Sequence, residues 1–598
     1  MIRYRVEIDD LHSHHYRVTL TVPQPAAQQE LALPVWINGS YMVRDFGRHL
    51  SGLQARQGRR AVPLRQLDKT RWLAGCTGRA ALVVCYRVYA FDTSVRAAFL
   101  DDRRGFFNGT SLCLRVVGQE TAPHRLELGR LPRDWEAATA MAPAADGRPL
   151  AFEAADYDEL VDHPVELGSF WRGSFQAGGV PHSMVVAGAL PGFDGARLLA
   201  DAQRICAAQI RFWHGDDGAP PFNHYLFLLN ALDDGYGGLE HRASTALVAP
   251  RRDLPRRGMD GISDGYLTLL GLISHEYFHT WNVKRLKPAD LATPDWQREN
   301  HTELLWFFEG FTSYYDELML RRCGLIDAPR YLRLLAKTVN AVAATPGRLV
   351  QSVAAASFDA WVKYYRNDEN TPNATISYYQ KGALVALCLD LTLRQRGRSL
   401  DAVMRGLWQR SGGGPVGGAM GGPMGGPIGG PIGGSITEAD IAEVLAQVAG
   451  RRLDAELQAW VHGTAELPVA DLLAALGVQS RPERAGLAAS LGLRLSEGPV
   501  SGVQVKSVLA GSAAAAAGLS AGDELLAVDG WRIRRLDDTL AWTQRDQPFS
   551  LLLVRDQRVL TRVVQPQPAS AMHTTVVLQL QPAPPRALAA RRRAWLDV

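Results

Sequence analysis

The 598-residue sequence lacks the features that mark secreted, membrane-spanning or nucleic-acid-binding proteins. Its six cysteines are scattered without C-x-x-C spacing, which argues against a disulfide framework and a thiolate zinc site. No run of about 18 apolar residues is present, so no membrane span is expected. The start, MIRYRVEIDD, has no apolar h-region, so we expect no secretory signal and a cytoplasmic protein. A net charge of +4 is too small for a nucleic-acid-binding surface.

Residues 1–183 contain short alternating bursts such as YRVEI, YRVTLTV and ALVVCYRVYAF, separated by turn residues. This pattern predicts an N-terminal antiparallel β domain. Two stretches carry unusual mixtures of charge and aromatic residues, PVWINGSYMVRDFGRHL with Arg44 and Asp45, and VRAAFLDDRRGFFNGTSLCL with Phe106 and Phe107. A buried salt-bridge network is the favoured interpretation of both, and direct substrate contact is the alternative.

Residues 184–300 change to a mixed α/β pattern and contain the H-E-x-x-H sequence at 275–279. Ser263 is a helix-capping residue, and the apolar spacing after it predicts a helix that carries His275 and His279 on one face. Both imidazoles could then bind one Zn²⁺, with Glu276 beside the open position of the metal as the base for a bound water. The alternative is a helix with two structural histidines and a solvated glutamate.

Residues 301–480 have helical periodicity and supply the remaining candidate ligand. Glu309 stands among aromatic residues, where an unpaired carboxylate would be costly to bury and a metal would remove that cost. Glu303 and Glu317 are weaker candidates. The Gly/Pro-rich segment 411–435 repeats GGP-x, cannot build a core and is expected to be a disordered insertion.

Residues 481–580 form a compositionally separate region that resembles a PDZ domain. The segment GLSAGDELLAVDG looks like the central element of such a domain, and SLGLRL resembles its carboxylate-binding loop. The resemblance implies that backbone N–H groups at Leu491, Gly492 and Leu493 capture the C-terminus of a peptide that adds as a strand. Residues 581–598 are expected to be a solvated basic tail.

Four motifs follow one another along the chain: GGLEH at 237–241, HEYFH at 275–279, EGFTSYY at 309–315 and ISYYQKGA at 376–383. Their order resembles the gluzincin metallopeptidases, and the whole chain is similar to the PDZ-containing glycyl aminopeptidase family. The most specific element is HEYFHTWNVKR. The resemblance implies a multidomain α+β protein with a thermolysin-like zinc peptidase domain, a helical extension and a C-terminal PDZ domain.

The resemblance also implies a role for each motif. Zinc would be bound by His275, His279 and Glu309, with Glu276 as general base. Glu240 would anchor the substrate α-ammonium, with Gly237 and Gly238 of the same Gly-rich turn as further substrate-binding residues. A tyrosine would stabilise the oxyanion, and its position favours Tyr379 over Tyr378. The sequence departs from the family pattern at His241, where asparagine is expected.

The resulting hypothesis is a zinc aminopeptidase that hydrolyses the N-terminal peptide bond of peptides by Glu-assisted attack of zinc-bound water. The resemblance alone implies a preference for Gly or Ala at the N-terminus. One alternative is a zinc endopeptidase whose PDZ domain delivers substrates. Another is an inactive PDZ adaptor, which the presence of all three ligands and the base disfavours. The expected partners are peptides with a free N-terminus and a C-terminal peptide ligand of the PDZ domain.

Overall fold

The computed structural model describes residues 1–412, 434–498, 500–567 and 574–597. These residues form two compact units, 1–300 with 404–437, and 301–403 with 438–598. The predicted insertion 411–435 lies outside the described residues, apart from its ends at 411–412 and 434–435.

The first unit begins with three mostly antiparallel β-sheets, as the alternating pattern predicts. The eight-stranded sheet contains, in spatial order, Ala142–Pro143, Ala151–Ala154, His124–Leu128, Ile2–Asp10, His15–Val22, Leu82–Tyr89, Leu50–Gln57 and Arg60–Val62. One four-stranded sheet contains Glu136–Ala138, Val165–Gly168, Arg104–Phe107 and Ala98–Leu100. The other contains Arg115–Val116, Gln28–Ala32, Arg71–Gly75 and Leu64–Gln66. Short helices lie at Gly109–Leu112 and Tyr157–Val161.

A five-stranded mixed sheet follows in the same unit. Its strands are β1 (Trp171–Ala177), β2 (Val180–Ala187), β3 (Tyr225–Leu232), β4 (Gly237–Glu240) and β5 (Ser244–Pro250). Their spatial order is β1-β2-β3-β5-β4, so β4 is an edge strand. The predicted domain boundary at 183/184 falls inside β2, because the β1–β2 hairpin alternates like the strands before it.

Two long helices pack against this sheet, α1 (Gly195–His214) and α2 (Asp264–Phe278). The Ser263 hydroxyl accepts a hydrogen bond from the Tyr266 N–H, so Ser263 caps α2 as predicted. A shared hydrophobic core joins the sheet to the N-terminal β domain. Its fully buried members include Val185 and Leu239 from the sheet and Ile37 and Phe106 from the β domain. The N-terminal domain therefore packs directly against edge strand β4.

The second unit opens with helices α3 (Leu305–Arg322), α4 (Ala328–Ala343) and α5 (Tyr378–Arg394). Helices α3 and α5 touch at glycines, since a Cβ on Gly310 would lie 2.6 Å from the Cα of Gly382. This contact explains why EGF and KGA both contain glycine. Other helices of the unit are Val353–Phe358, Thr371–Ala374, Glu438–Ala449, Asp454–Leu457 and Val469–Ala474, while helix Leu400–Arg410 contains the boundary at Met404.

A β-rich domain with its own core lies near the end of the second unit. Its strands are β6 (Leu493–Gly498), β7 (Gly502–Val508), β8 (Glu524–Val528), β9 (Phe549–Arg555) and β10 (Arg558–Val564). They follow this order in space, which places β6 at an edge, with the short strand Trp531–Arg532 paired to β8. Short helices Leu487–Ser490 and Ala513–Ala516 belong to the domain, and strands Val478–Arg484 and Thr574–Leu580 pair beside it.

The end of the chain differs from the predicted solvated tail. Helix α6 (Arg586–Leu596) forms there, and Trp595 is fully buried. The indole N–H of Trp595 donates to the Tyr314 hydroxyl on α3 at 3.0 Å, and that hydroxyl donates to the buried Asp390 carboxylate at 2.6 Å. The basic composition concealed a single large apolar side chain that anchors the helix. Among the described residues, no helix combines the length and apolar character that a membrane span requires.

Candidate metal and peptide-binding site

Helix α2 brings both histidines of the H-E-x-x-H sequence together at its C-terminal end. The Nε2 atoms of His275 and His279 lie 3.0 Å apart, with the two rings nearly perpendicular at 86°. The Nδ1–H of His279 donates to the backbone carbonyl of Asn282 at 2.8 Å, which makes its Nε2 the lone-pair nitrogen that can act as a metal ligand. The two imidazole Nε2 atoms converge, and one ring is oriented by a hydrogen bond through its other nitrogen. This arrangement suits a metal ion.

The loop after α2 holds the Asn282 carbonyl in place. Val283 adopts φ +134°, a conformation that a β-branched residue rarely takes and that marks local backbone strain. The Lys284 N–H donates to the His279 carbonyl at 3.0 Å, while the Arg285 guanidinium donates to the Thr280 carbonyl at 2.9 Å. The NVKR sequence thus has a structural reason to follow the helix, because it fixes the orientation of the second histidine.

Strand β4 passes directly over the general-base candidate. A Cβ on Gly238 would lie 2.1 Å from the Oε1 atom of Glu276, so only glycine fits between the strand and this carboxylate. Glu276 is 5% exposed. Gly238, predicted only as a substrate-binding residue, thus packs closely against the H-E-x-x-H helix.

The carboxylate of Glu240 is buried at the end of the same strand. It is 4% exposed, and its Oε1 atom has no hydrogen-bond partner among the described residues. Gly39 of the WINGSY stretch packs against it, because a Cβ there would lie 2.4 Å from Oε1, and Gly39 has φ +92°. A buried carboxylate without an internal partner is suited to bind a cation such as a substrate ammonium group.

Asp162 of the N-terminal domain holds this region in position, and nothing in the sequence pattern pointed to it. Its carboxylate lies 2.8 Å from Lys284 Nζ and accepts from the backbone N–H of Arg242 at 2.9 Å. His241, the departure from the family pattern, points its Nδ1 toward the same carboxylate at 3.4 Å. Burial raises the pKa of Asp162, but the charges of Lys284 and Arg242 outweigh burial and hold the pKa well below its ordinary value.

The aromatic stretches of the N-terminal domain fit both interpretations in part. Phe106 and Phe107 are buried, and Arg104 forms a largely buried bidentate ion pair with Glu166 at 2.6 and 2.7 Å. The Asp45 carboxylate instead forms an exposed ion pair with Lys69. The WINGSY stretch also contains Gly39, so it lines the carboxylate at the end of β4.

The second unit carries the predicted third ligand on helix α3. Glu309 is 3% exposed and is flanked in sequence by fully buried aromatic residues. Glu303 lies exposed before the helix, and Glu317 follows Glu309 by about 12 Å along the helix axis. Burial, with the neighbouring Asp316 charge, raises the pKa of Glu317 to about 8. Of the three carboxylates, Glu309 is the most deeply buried.

The two candidate tyrosines stand at the start of helix α5 and differ in exposure. Tyr378 is fully buried, whereas Tyr379 is only partly buried and stacks on Tyr364 with ring centroids 5.4 Å apart. Burial, followed by the negative charge of Glu309, raises the pKa of Tyr379 well above its ordinary value. Partial exposure favours Tyr379 as the residue that can meet a substrate.

The predicted carboxylate-binding loop of the C-terminal domain is largely bonded already. The N–H of Leu491 donates to the Leu487 carbonyl, and the N–H of Gly492 donates to the Ala489 carbonyl, both at 3.0 Å. Helix Leu487–Ser490 thus uses two of the three N–H groups of this loop, whose role in carboxylate binding stays a prediction. Leu493 pairs with Val508 beside the bonded Gly492–Leu509 pair, so alternation directs its N–H toward the open edge.

Comparisons with known family models match three segments of the chain. Family models match residues 3–169 (Peptidase M61 N-terminal domain), 268–385 (M61 glycyl aminopeptidase) and 482–547 (PDZ domain). An aminopeptidase N family protein from Idiomarina loihiensis is 35% identical over 100% of both chains, with a TM-score of 0.90. A search of curated proteins finds no match.

Two solved structures of an M1 zinc metallopeptidase from Deinococcus radiodurans are more distant. One, a mutant bound to a Tyr-Ser-Ala substrate, is 13% identical over 78% of this chain and 94% of its own, with a TM-score of 0.46. The other is 14% identical with the same coverage and a TM-score of 0.44. This likeness is too weak to support an inference.

The fold, the H-E-x-x-H helix and the family matches define a metallo-aminopeptidase, a hydrolase of multidomain α+β architecture. The chain belongs to the M61 glycyl aminopeptidase family and contains a PDZ domain at residues 482–547. The predicted family and fold class are thereby confirmed.

Proposed function

We propose that the protein is a zinc-dependent aminopeptidase that removes small N-terminal residues from peptides. Its zinc ligands are His275, His279 and Glu309, which form a candidate ligand set among the described residues. The M61 glycyl aminopeptidase match at 268–385 contains all three. Two imidazole nitrogens and one carboxylate oxygen are a donor set that suits zinc with one open position. The Nδ1 hydrogen bond of His279 supports the same assignment.

The observation that carries the exopeptidase assignment is the buried carboxylate of Glu240. It lies on the strand that packs against Glu276 through Gly238, and no described residue forms a hydrogen bond to its Oε1 atom. A substrate ammonium group would satisfy this oxygen. An ammonium site at a fixed distance from the general base selects the first peptide bond, whereas an endopeptidase needs no such site.

Each side chain has a defined task in the proposed reaction. When bound, zinc would polarise the scissile carbonyl and lower the pKa of a coordinated water toward about 7. Glu276 takes a proton from the attacking water and later donates it to the leaving amine. Tyr379 donates its hydroxyl proton in a hydrogen bond to the developing oxyanion. Glu240 holds the α-ammonium throughout.

A preference for glycine or alanine at the substrate N-terminus is supported by family membership. Comparing alanyl-p-nitroanilide with its leucyl counterpart tests it directly. Higher kcat/KM for the alanyl substrate is expected, and equal values would contradict the preference.

N-terminal acetylation tests the exopeptidase assignment. The acetyl group removes the positive charge that Glu240 is proposed to bind, so N-acetyl-alanyl-p-nitroanilide should not be hydrolysed. Matched hydrolysis of free and acetylated substrates, with zinc bound, would instead support the endopeptidase alternative.

A further inference from the structure

Arg96 reaches strand β4 from the N-terminal β domain. It belongs to the VRAAFL stretch, and its guanidinium Nη2 donates to the carbonyl of Gly238 at 3.2 Å. Its Nη1 atom lies 3.5 Å from the position that a Cβ on Gly237 would take. A permanently charged group therefore stands beside the first half of the GGLE strand.

This guanidinium has no acidic partner in the part of the chain that the structure describes. Arg96 is partly buried, forms no salt bridge among the described residues, and its buried Nε–H has no hydrogen-bond acceptor there. Arginine has five donors in a planar fork that matches a carboxylate, and a single bond to Gly238 leaves most of them unused. The chemistry of an anion-binding site is thus present.

The strand geometry determines which part of a substrate arrives there. The His241 N–H bonds to the Ser244 carbonyl, so alternation along the β4–β5 pair directs the backbone groups of Glu240 and Gly238 toward the open edge. Glu276 lies at Gly238, so the scissile bond lies on the Gly238 side of the ammonium site. A peptide held at Glu240 therefore runs along β4 toward Gly237.

The distance along the strand limits the length of that peptide. Gly238 and Gly237 are two and three residues from Glu240, which corresponds to about 7 to 10 Å of extended chain. The C-terminus of a dipeptide or tripeptide with its ammonium at Glu240 would fall in this range.

We propose that Arg96 binds the C-terminal carboxylate of dipeptide and tripeptide substrates and so directs the enzyme to short peptides. The proposal rests on the proposed aminopeptidase function. Glu240 and Arg96 then form opposite ends of one site, a carboxylate for the ammonium group and a guanidinium for the carboxylate. An arginine that served only to clamp β4 would give no preference between charged and neutral C-termini.

The test compares free-acid and C-terminally amidated forms of Ala-Ala and Ala-Ala-Ala. For the wild type, kcat/KM should be about tenfold higher for the free acids. Arg96→Gln should reduce this acid-to-amide ratio to about one, and Arg96→Lys should retain part of it. The matched control is Arg103→Gln, an exposed arginine of the same domain, which should leave the ratio unchanged.

The outcomes separate this proposal from the function on which it rests. Hydrolysis of alanyl-p-nitroanilide with a wild-type acid-to-amide ratio near one would overturn the role of Arg96 and leave the aminopeptidase intact. An unchanged high ratio in Arg96→Gln would overturn it equally. Absence of any hydrolysis by the zinc-loaded wild type would overturn both.

Discussion

Strands β4 and β6 both lie at sheet edges beside groups suited to bind a peptide, and they differ in how many of those groups are already bonded. At β4, within the described ranges of the chain, the Glu240 carboxylate has an oxygen without a hydrogen-bond partner, and Arg96 has unused donors. At β6 the N–H groups of Leu491 and Gly492 are both used by the preceding short helix. The β4 edge thus has charged groups that can still bind a ligand, whereas two N–H groups at the β6 edge are already bonded.

The polar side chains of the PDZ domain show the same internal satisfaction. The Glu497 carboxylate on β6 accepts the Leu536 N–H at 2.8 Å, and the Asp537 carboxylate accepts the Leu487 N–H at 2.8 Å. Both carboxylates are therefore bonded to backbone donors of their own domain. The comparison teaches that a binding edge is recognised by its unsatisfied groups, and that a motif match alone does not reveal them.

Among changes that compare the two edges, the largest expected effect comes from removing the charge at the β4 edge. Glu240→Gln should lower kcat/KM for alanyl peptides by about 100-fold or more, because the substrate ammonium loses its charged partner. Zinc content should stay the same. Steady-state kinetics and metal analysis measure both.

Glu497→Gln is the matched change at the β6 edge, and its effect on kcat/KM should be less than about twofold. If the two substitutions have equal effects on peptide turnover, the contrast between the two edges is wrong.

A smaller loss of turnover is expected when the strand is pushed away from the base. The methyl group in Gly238→Ala would collide with the Glu276 carboxylate, and displacing a base by about 1 Å costs on the order of 100-fold in kcat. Gly271→Ala, on helix α2 with Glu276, is the control, since a Cβ there meets nothing within 4 Å. Unchanged kcat in Gly238→Ala would show that the close contact is unimportant.

Asp162→Asn tests how firmly the β4 edge is held. The substitution leaves Lys284 and Arg242 without their buried anion, which should cost about 3 kcal/mol or more of unfolding free energy at pH 7. Since the folded pKa of Asp162 lies below its ordinary value, the wild-type advantage is present above about pH 4 and is lost as pH falls through the folded pKa.

Urea unfolding at pH 7 and at lower pH measures this advantage. Asp537→Asn is the control, because the Asp537 carboxylate accepts the Leu487 N–H before β6. It should lower the free energy of unfolding by about 1 kcal/mol. An advantage of Asp162 that grew as the pH fell would contradict the assigned sign.

The residues that sequence reasoning could find are those with a local pattern. The i, i+4 histidines and the Ser263 cap depend on neighbours in sequence, and the structure places them at the expected helix. The Gly-rich turn expected at Glu240 is instead the edge strand β4. Glu309 could be predicted as a ligand from the sequence because an acidic residue among aromatic residues is locally unusual.

The remaining residues act through contacts that no local pattern records. Asp162 contacts Arg242, just beyond β4, from 80 residues away, and Arg96 contacts Gly238 of β4 from 142 residues away. Gly39 is identified only by the carboxylate that occupies the space of its missing side chain. The hydrogen bonds of the Leu491 and Gly492 N–H groups could not be predicted, because a sequence resemblance to a loop does not indicate which backbone donors are already bonded.

The most direct test of the central claim is to measure zinc content and alanyl-p-nitroanilide turnover in the same preparations of wild type and Glu276→Gln. The account predicts about one zinc per chain in both proteins, with turnover lower by about 100- to 10,000-fold in the variant. A wild type that binds no zinc, or a variant that retains full turnover, would contradict the assignment of the H-E-x-x-H helix as the catalytic centre.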